Sequence, residues 1–491
     1  MASRGLGKQQ PPLWSLPVSQ RPPLSLASLL TVTLPLTVGF IVVFDVGILA
    51  TVLLLVLLYP LYYGSIRTRR TYRQLGKRAF GRLLVLIVRW FSPTELVLSA
   101  GRGHDQGEDW IERDTDGKLV SLKLPEKALW ISNHTTLTDW IYLWILAYLS
   151  RDGDHSASLF ISLKNSLRRI PIVGSACQLF GFIFMARKWA TDKEPLARQL
   201  DEIARENARI GEPMALLLFP EGTIVTANTR GISKKYADKT QIADFKHLLL
   251  PRSTGLFFAL RQLARTTPSL RLVDITVGYP LPRSSPSTSA SPIYASDFYT
   301  LPSVLLSHIA PPELHMHIRA FSLSEIPLGE LDAVDAADGE GTEDEKRAFE
   351  RWLYDRWAEK DALLEQFRTR GTFVAGGVGV GVGKRGERGN GSGGNGATSA
   401  TRSHGIHASS DDDDDDSDDE ERRGEYRWPV SLRQPSWEIP AAFQFGWPFL
   451  VAYLLWTRRR DILASIVSIL LWVFVRLAGD GQVQSIGKTD L

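Results

Sequence analysis

Cysteine is almost absent: the 491-residue chain has one, Cys177, which excludes an intramolecular disulfide and a cysteine zinc cluster. Stability must come from burial, which a chain long enough for about three ordinary domains can supply. Net charge is nearly absent too, with 57 Lys and Arg against 54 Asp and Glu, or +3. That balance conceals a segregation. Ten acids lie between Asp411 and Glu421, and without those ten the +3 becomes +13. A moderately basic body with a detached acidic tract suits anionic partners such as lipid headgroups, nucleotides or CoA phosphates. The G-x-S-x-G elbow of many lipid hydrolases does not occur.

Charge is also missing from residues 22–66, where only Asp45, Tyr59, Tyr62 and Tyr63 can ionise across 45 residues. As one helix this stretch would reach roughly 67 Å, more than twice a hydrocarbon core of about 30 Å. Two apolar helical segments are therefore expected, near 24–44 and 46–63, crossing twice or forming a hairpin with Asp45 near the bend. The stretch is too long and begins too late for a cleaved signal peptide. Arg67, Arg69, Arg70, Arg73, Lys77, Arg78 and Arg82 follow at once. By the positive-inside rule they face the cytosol and anionic headgroups; alternatively they are solvated charges on a helix. A second apolar pair, 439–456 and 462–475, flanks Arg458, Arg459, Arg460 and Asp461 and predicts a hairpin or interfacial anchor.

Between these ends, 128–132, 215–219 and 272–279 read as buried strands, and 196–210, 252–263 and 345–367 as helices. Their alternation argues an α/β layer architecture. The Ser- and Pro-rich 280–299 reads as a surface loop, and 375–424 as a disordered linker with too little apolar surface to offset ordering entropy. Gly381 to Gly386 matches G-x-G-x-x-G inside that linker, without the strand and helix that a dinucleotide fingerprint needs.

The strand ending at Ser132 runs into Asn133-His134-Thr135-Thr136-Leu137-Thr138-Asp139-Trp140, an H-x4-D pair. On one continuous helix a spacing of five sets two side chains about 140° apart, out of contact. Turn-forming Ser132-Asn133 ahead of an apolar helix lets His134 stand outside the first full turn, where Asp139 can reach it. A carboxylate there would fix the imidazole tautomer and favour the imidazolium formed when His takes a proton. The plainer alternative is a His capping its own helix with Asp139 as a dipole-friendly first-turn acid. Residues 217–223 end a strand in Pro220-Glu221-Gly222-Thr223, where Gly222 admits close backbone approach and Glu221 and Thr223 offer polar groups. Residues 181–187 place Arg187 after an apolar strand, a suitable fork for a phosphate. Read singly, these two are also compatible with a tight turn and an ordinary surface Arg.

In this order and spacing the three segments resemble the glycerophospholipid acyltransferase family, whose motifs read N-H-x4-D, G-x-x-F-I-x-R and F-P-E-G-T. Here they are Asn133, His134 and Asp139; Gly181, Phe184 and Arg187, with Met185 where Ile is usual; and Phe219, Pro220, Glu221, Gly222 and Thr223. Residues 164–174, 247–255, 273–280 and 315–318 look like the branch containing lysocardiolipin and lysophosphatidylinositol acyltransferases. The resemblance covers roughly residues 51–368. It implies an α/β fold, the glycerolipid acyltransferase-type mixed sheet with surrounding helices, plus N-terminal and C-terminal membrane-associated helices.

The resemblance also implies transfer of a fatty acyl group from acyl-CoA to a lysophospholipid hydroxyl, the acceptor being lysophosphatidylinositol- or lysocardiolipin-like, with lysophosphatidic acid in phosphatidic acid synthesis as the alternative. His134 would take the proton and Asp139 would orient it, while Arg187 and the turn of Glu221, Gly222 and Thr223 would position the phosphate-bearing acceptor. No covalent intermediate is required, so Cys177 need not be a nucleophile, and no cofactor or metal is expected beyond acyl-CoA as co-substrate. The partners are lysophospholipid, acyl-CoA and the bilayer, with no nucleic acid, and the endoplasmic reticulum membrane is the default address, with the basic segment cytosolic. The expected organisation is a tail (1–22), membrane-anchoring helices (23–66), the acyltransferase domain (67–370), the Gly-rich and acidic linker (371–430), a C-terminal hairpin (431–480) and a tail (481–491).

Other classes compete. A non-catalytic lipid-binding scaffold could use the same fold. His315 and His317, strand neighbours on one face, could bind a metal, though a packed or solvated pair lacking a third ligand is the simpler expectation. Asn133-His134-Thr135 fits the N-x-T glycosylation pattern, but a glycan there would block the base, so the site is expected to be unused.

Overall fold

Along the strand at residues 127–132 the side chains divide by parity, as a strand buried on both faces requires: Ala128 and Trp130 enter one apolar cluster, Leu129 and Ile131 another. That strand lies inside a mixed sheet in the computed structural model, which describes residues 11–100, 110–113, 119–150, 154–282, 292–331, 340–374, 425–430 and a few positions between 446 and 459. The chain opens with α1 (Leu26–Ser28), α2 (Leu34–Leu57), α3 (Ile66–Phe91), β1 (Glu95–Ala100), β2 (Ile111–Arg113), β3 (Leu119–Leu122) and β4 (Lys127–Ser132). It continues through α4 (Asp139–Leu149), α5 (Asp154–Ser158), β5 (Leu159–Lys164), α6 (Val173–Leu179), β6 (Ile183–Met185), α7 (Trp189–Ile210) and β7 (Met214–Leu218). Then follow α8 (Ala227–Thr240), α9 (Ser253–Ala264), β8 (Arg271–Gly278), α10 (Leu301–Leu305), β9 (Glu313–Ser322), α11 (Glu343–Arg370) and β10 (Glu425–Pro429).

Eight strands share one sheet in the order β10-β1-β9-β8-β4-β7-β5-β6. Neighbours from β8 to β6 run parallel, β9 is antiparallel to β8 and parallel to β1, and β10 is antiparallel to β1. Trp130 faces Leu217 of β7 and Val273 of β8, so the carboxyl ends of β4 and β7 lie side by side. Residues of α2, α3 and α4 join the cluster on one face, and residues of α7, α9 and α11 the cluster on the other. The expected α/β layer architecture is therefore present. Helix α7 starts at Trp189, ahead of the expected 196, with Pro195 inside it; Asp192 in its first turn accepts from the Ala186 and Lys188 N–H groups (2.7 and 2.9 Å).

The expected break at Asp45 is not there. Residues Leu26–Leu57 form one 32-residue helical rod, in which a π-helical stretch at Leu29–Thr33 leads into α2 just ahead of Pro35. The chain breaks only at the next Pro and Gly, through Tyr59–Tyr63 and Gly64. The rod is long and apolar enough to cross a membrane. Its first half is exposed, as at Leu26, Leu30 and Val38, whereas Ile48 and Leu55 are buried. Gly47 makes the contact with α3 possible, since a Cβ there would stand 2.5 Å from Leu83 Cδ1.

Three residues of the basic run after it depart from both expectations. Arg70, Arg73 and Lys77 lie on the inner face of α3 and are buried rather than solvated or turned to headgroups. Arg70 pairs with Glu212 (2.7 Å), and Arg73 with Glu202 (2.8 Å) and Glu206 (3.1 Å). Lys77 Nζ lies 3.5 Å from the Phe160 ring centroid. Spacings of three and four residues set all three on one stripe, where Glu202 and Glu206 of α7 meet Arg73 and Glu212, just past the helix, meets Arg70. Two other boundaries shift. Within the expected surface loop 280–299, Ala295, Phe298 and Tyr299 are buried, and Tyr299 Oη donates to the Pro280 carbonyl (2.7 Å). The linker placed at 371–430 yields β10 at Glu425–Pro429, where Arg427 reaches both Glu95 and Glu313 at 2.9 Å. The acidic tract, the G-x-G-x-x-G match and most of the C-terminal hairpin lie outside the described residues.

Helix α11 is fastened to the sheet by a buried ion pair. Lys360 Nζ lies 2.5 Å from Asp274 Oδ1 and donates to the Ile275 carbonyl (2.8 Å), while Arg319 donates to Asp274 Oδ2 (2.7 Å). Lys360 and Asp274 are wholly buried. Lys360→Met should cost about 3 kcal/mol, the low end for a broken buried pair because Arg319 remains. Thermal unfolding of the detergent-solubilised protein checks this; an unchanged midpoint would refute it.

Candidate active site

At the end of β4 the chain leaves the sheet, and Asn133 continues the ladder with its side chain. Its Nδ2 donates to the Val277 carbonyl (2.9 Å) and its Oδ1 accepts from the Val277 N–H (2.8 Å), with Asn133 fully buried. An amide spent in this way has no room for a glycan. The anchored loop then delivers His134 outside α4, whose first residue is Asp139.

The wholly buried Asp139 carboxylate gathers donors from the loop. Oδ2 accepts from the N–H of Thr135 (2.6 Å) and Thr136 (3.0 Å) and lies 2.9 Å from His134 Nδ1. Oδ1 accepts from Thr136 Oγ1 (3.0 Å) and Tyr279 Oη (2.6 Å). With Nδ1 facing a carboxylate, the proton of neutral His134 belongs on Nδ1, leaving the Nε2 lone pair to accept another. The ring stacks on Phe219 at a centroid separation of 4.2 Å, and the side chain stays 14% exposed. A partly open imidazole with a buried carboxylate behind it can act as a general base.

Phe219 belongs to the turn after β7. Gly222 takes φ +71° and its N–H donates to the Phe219 carbonyl (2.9 Å), closing the turn in the left-handed region that favours glycine. The Val225 N–H donates to the His134 carbonyl (2.9 Å), tying the two loops together. Glu221 does not present its carboxyl to solvent: Oε1 accepts from the His134 N–H (3.3 Å) and Oε2 from the Leu249 N–H (3.4 Å), and the residue is 2% exposed. Burial pushes the carboxyl up to about 8, against the pull of those two N–H groups. Glu221 is thus a brace between loops rather than an exposed polar group. Thr223 is half-buried beside it.

Arg187 follows β6 on an exposed loop with φ +65°, a conformation costly for a non-glycine residue. Asp192 sustains it by accepting the N–H groups on either side. His134, Asp139, Glu221, Gly222 and Thr223 come together at the ends of β4 and β7, and Arg187 stands at the end of β6. Tyr279, Thr136 and Asp192 escape sequence reasoning; their polar atoms find partners only through the fold. Burial pushes the Cys177 thiol up to about 12, which makes it a poor nucleophile. His315 and His317 are buried against Phe367 and Phe373 (4.8 and 5.8 Å between rings), and among the described residues no group of three or more His, Cys, Asp or Glu could hold a metal.

An acyltransferase family model matches residues 118–279, which include every residue of this cluster, and an acyltransferase C-terminus model matches 342–388, which include α11. The 2-acyl-1-lysophosphatidylinositol acyltransferase of Saccharomyces cerevisiae is 35% identical over 66% of this chain and 83% of its own. The chain belongs to the acyltransferase family. An uncharacterized acyltransferase of Schizosaccharomyces pombe is 34% identical over 69% of this chain and 84% of its own. Lysocardiolipin acyltransferase 1 of Danio rerio is 31% identical over 49% of this chain and 53% of its own. This acyltransferase is thus an enzyme of phospholipid metabolism that transfers an acyl group to oxygen.

A folded Glu221 carboxyl near 8, against 4.5 unperturbed, keeps a proton that the unfolded chain releases. Stability should therefore fall as pH rises from about 4.5 to about 8 and level off above. Glu221→Gln cannot ionise and should flatten that slope in melting temperatures measured across the range; an equally steep slope in the variant would count against the buried carboxyl as its source.

Proposed function

We propose that this acyltransferase esterifies the free hydroxyl of a lysophospholipid, of the lysophosphatidylinositol or lysocardiolipin type, with the acyl group of acyl-CoA as co-substrate. The observation that carries this is the 2.9 Å approach of His134 Nδ1 to Asp139 Oδ2 behind a partly open ring. An alcohol is a poor nucleophile near neutral pH. His134 Nε2 takes the hydroxyl proton as the oxygen attacks the thioester carbonyl, and Asp139 stabilises the imidazolium that forms. The tetrahedral intermediate collapses with loss of CoA thiolate, which recovers the proton from His134. Arg187 and the turn braced by Glu221 position the acceptor phosphate, and no cofactor or metal takes part.

A membrane address suits an acceptor and a product that both partition into lipid, and the rod Leu26–Leu57 supports it. The endoplasmic reticulum is the compartment we assign, with the exposed Arg67 and Arg82 on the cytosolic side.

Membranes from expressing cells, given labelled acyl-CoA and lysophosphatidylinositol, lysocardiolipin and lysophosphatidic acid in turn, should form product with one of the first two. His134→Ala should lower that rate about 10²- to 10⁴-fold at unchanged expression. Survival of the activity would dismiss the base, and preference for lysophosphatidic acid would move the enzyme to phosphatidic acid synthesis.

A further inference from the structure

The turn that carries Gly222 has a neighbour from a distant part of the chain. Arg252, at the N-cap of α9, donates its backbone N–H to the Pro220 carbonyl (2.8 Å). Its side chain lies along Gly222: a Cβ at that glycine would stand 3.6 Å from Arg252 Nε and 3.7 Å from Cδ and Cζ. The guanidinium therefore lies beside the turn that begins at Phe219, on which His134 is stacked. Arg252 is exposed, and among the described residues neither it nor Arg187 has a carboxylate partner.

Burial pushes the Arg187 guanidinium below its usual range, and the charge of Arg252 pushes it the same way. Elsewhere in the protein paired arginines meet acids: Arg70 and Arg73 share the acids of α7 and its C-terminal turn, and Arg230 is chelated by Asp244 (2.7 Å). At the mouth of the site the acid is missing. The backbone there is costly too, since Arg187 is held at φ +65° by the Asp192 brace.

We propose that Arg252 and Arg187 together form a two-guanidinium cradle for the phosphate of the lipid acceptor. A guanidinium fork matches phosphate oxygens in pairs, and the Arg252 fork beside Gly222 meets the phosphate at the edge of the turn that carries Phe219. Arg252 is a positioning residue: it takes no proton and forms no bond in the transfer. Its action presupposes the acyl transfer proposed above. The phosphates of CoA offer the same chemistry, so the two sources have to be separated by measurement.

Steady-state kinetics of the full-length enzyme in detergent or membranes, with lysophosphatidylinositol and acyl-CoA varied in turn, provide the separation. Arg252→Ala should raise the acceptor KM about 10- to 100-fold while the acyl-CoA KM stays within about twofold. Arg252→Lys, which keeps the charge and loses the fork, should fall between. Transfer to a monoacylglycerol, which has no phosphate, should be the same in wild type and Arg252→Ala, so that selectivity for the phosphate-bearing acceptor collapses. A purely structural role would instead slow both acceptors alike. An unchanged acceptor KM, or a rise confined to acyl-CoA, would overturn the cradle. If wild type transfers acyl groups to no lysophospholipid, the proposed function fails and the cradle with it; if wild type is active and Arg252→Ala keeps its selectivity, the cradle alone fails.

Discussion

The Asp139 carboxylate is the joint on which the site turns. It stands at the first residue of α4, where the helix dipole favours a negative charge, and accepts from two loop N–H groups, two hydroxyls and the imidazole. The bonds that close the loop 133–138 onto the helix are the same bonds that aim His134. A histidine capping its own helix, one interpretation of the H-x4-D pair, is not what forms: the N-cap Thr138 has no side-chain cap, and the His134 imidazole meets the Asp139 carboxylate instead. Tyr279 completes it from β8, so the orientation of the imidazole depends on the pairing of β4 with β8.

Two buried carboxyls on neighbouring loops differ in their partners. Asp139 faces five donors at 2.6 to 3.0 Å, whereas Glu221 has two longer bonds from N–H groups, and burial raises it to about 8. Environment, not residue type, assigns one to orient the imidazole and the other to hold the loops that frame it.

Much of this was legible in the sequence because it depends on local spacing. Three strands and three helices follow from apolar periodicity, and His134, Asp139, Glu221, Gly222 and Arg187 from short motifs after strands. What was not legible depends on partners distant in the chain. Burial of Arg70, Arg73 and Lys77 requires the acids of α7 and its flank, more than a hundred residues on. Asn133 and Tyr279 are recruited across the β4–β8 ladder, and no period announces that. The helix Leu26–Leu57 was misjudged for a different reason: a single Asp among apolar residues does not break a helix, and the residues that do, Pro60 and Gly64, come later.

Strand β10 takes over a border. In the order β10-β1-β9, strand β1 has a partner on each side, and Arg427 clamps all three through Glu95 and Glu313. Without β10, β1 would present a free row of amides and carbonyls, a template onto which strands of other molecules could add. The edge passes to β10 itself, a five-residue strand with Arg427 at its centre and Pro429 at its end, features that blunt such a template.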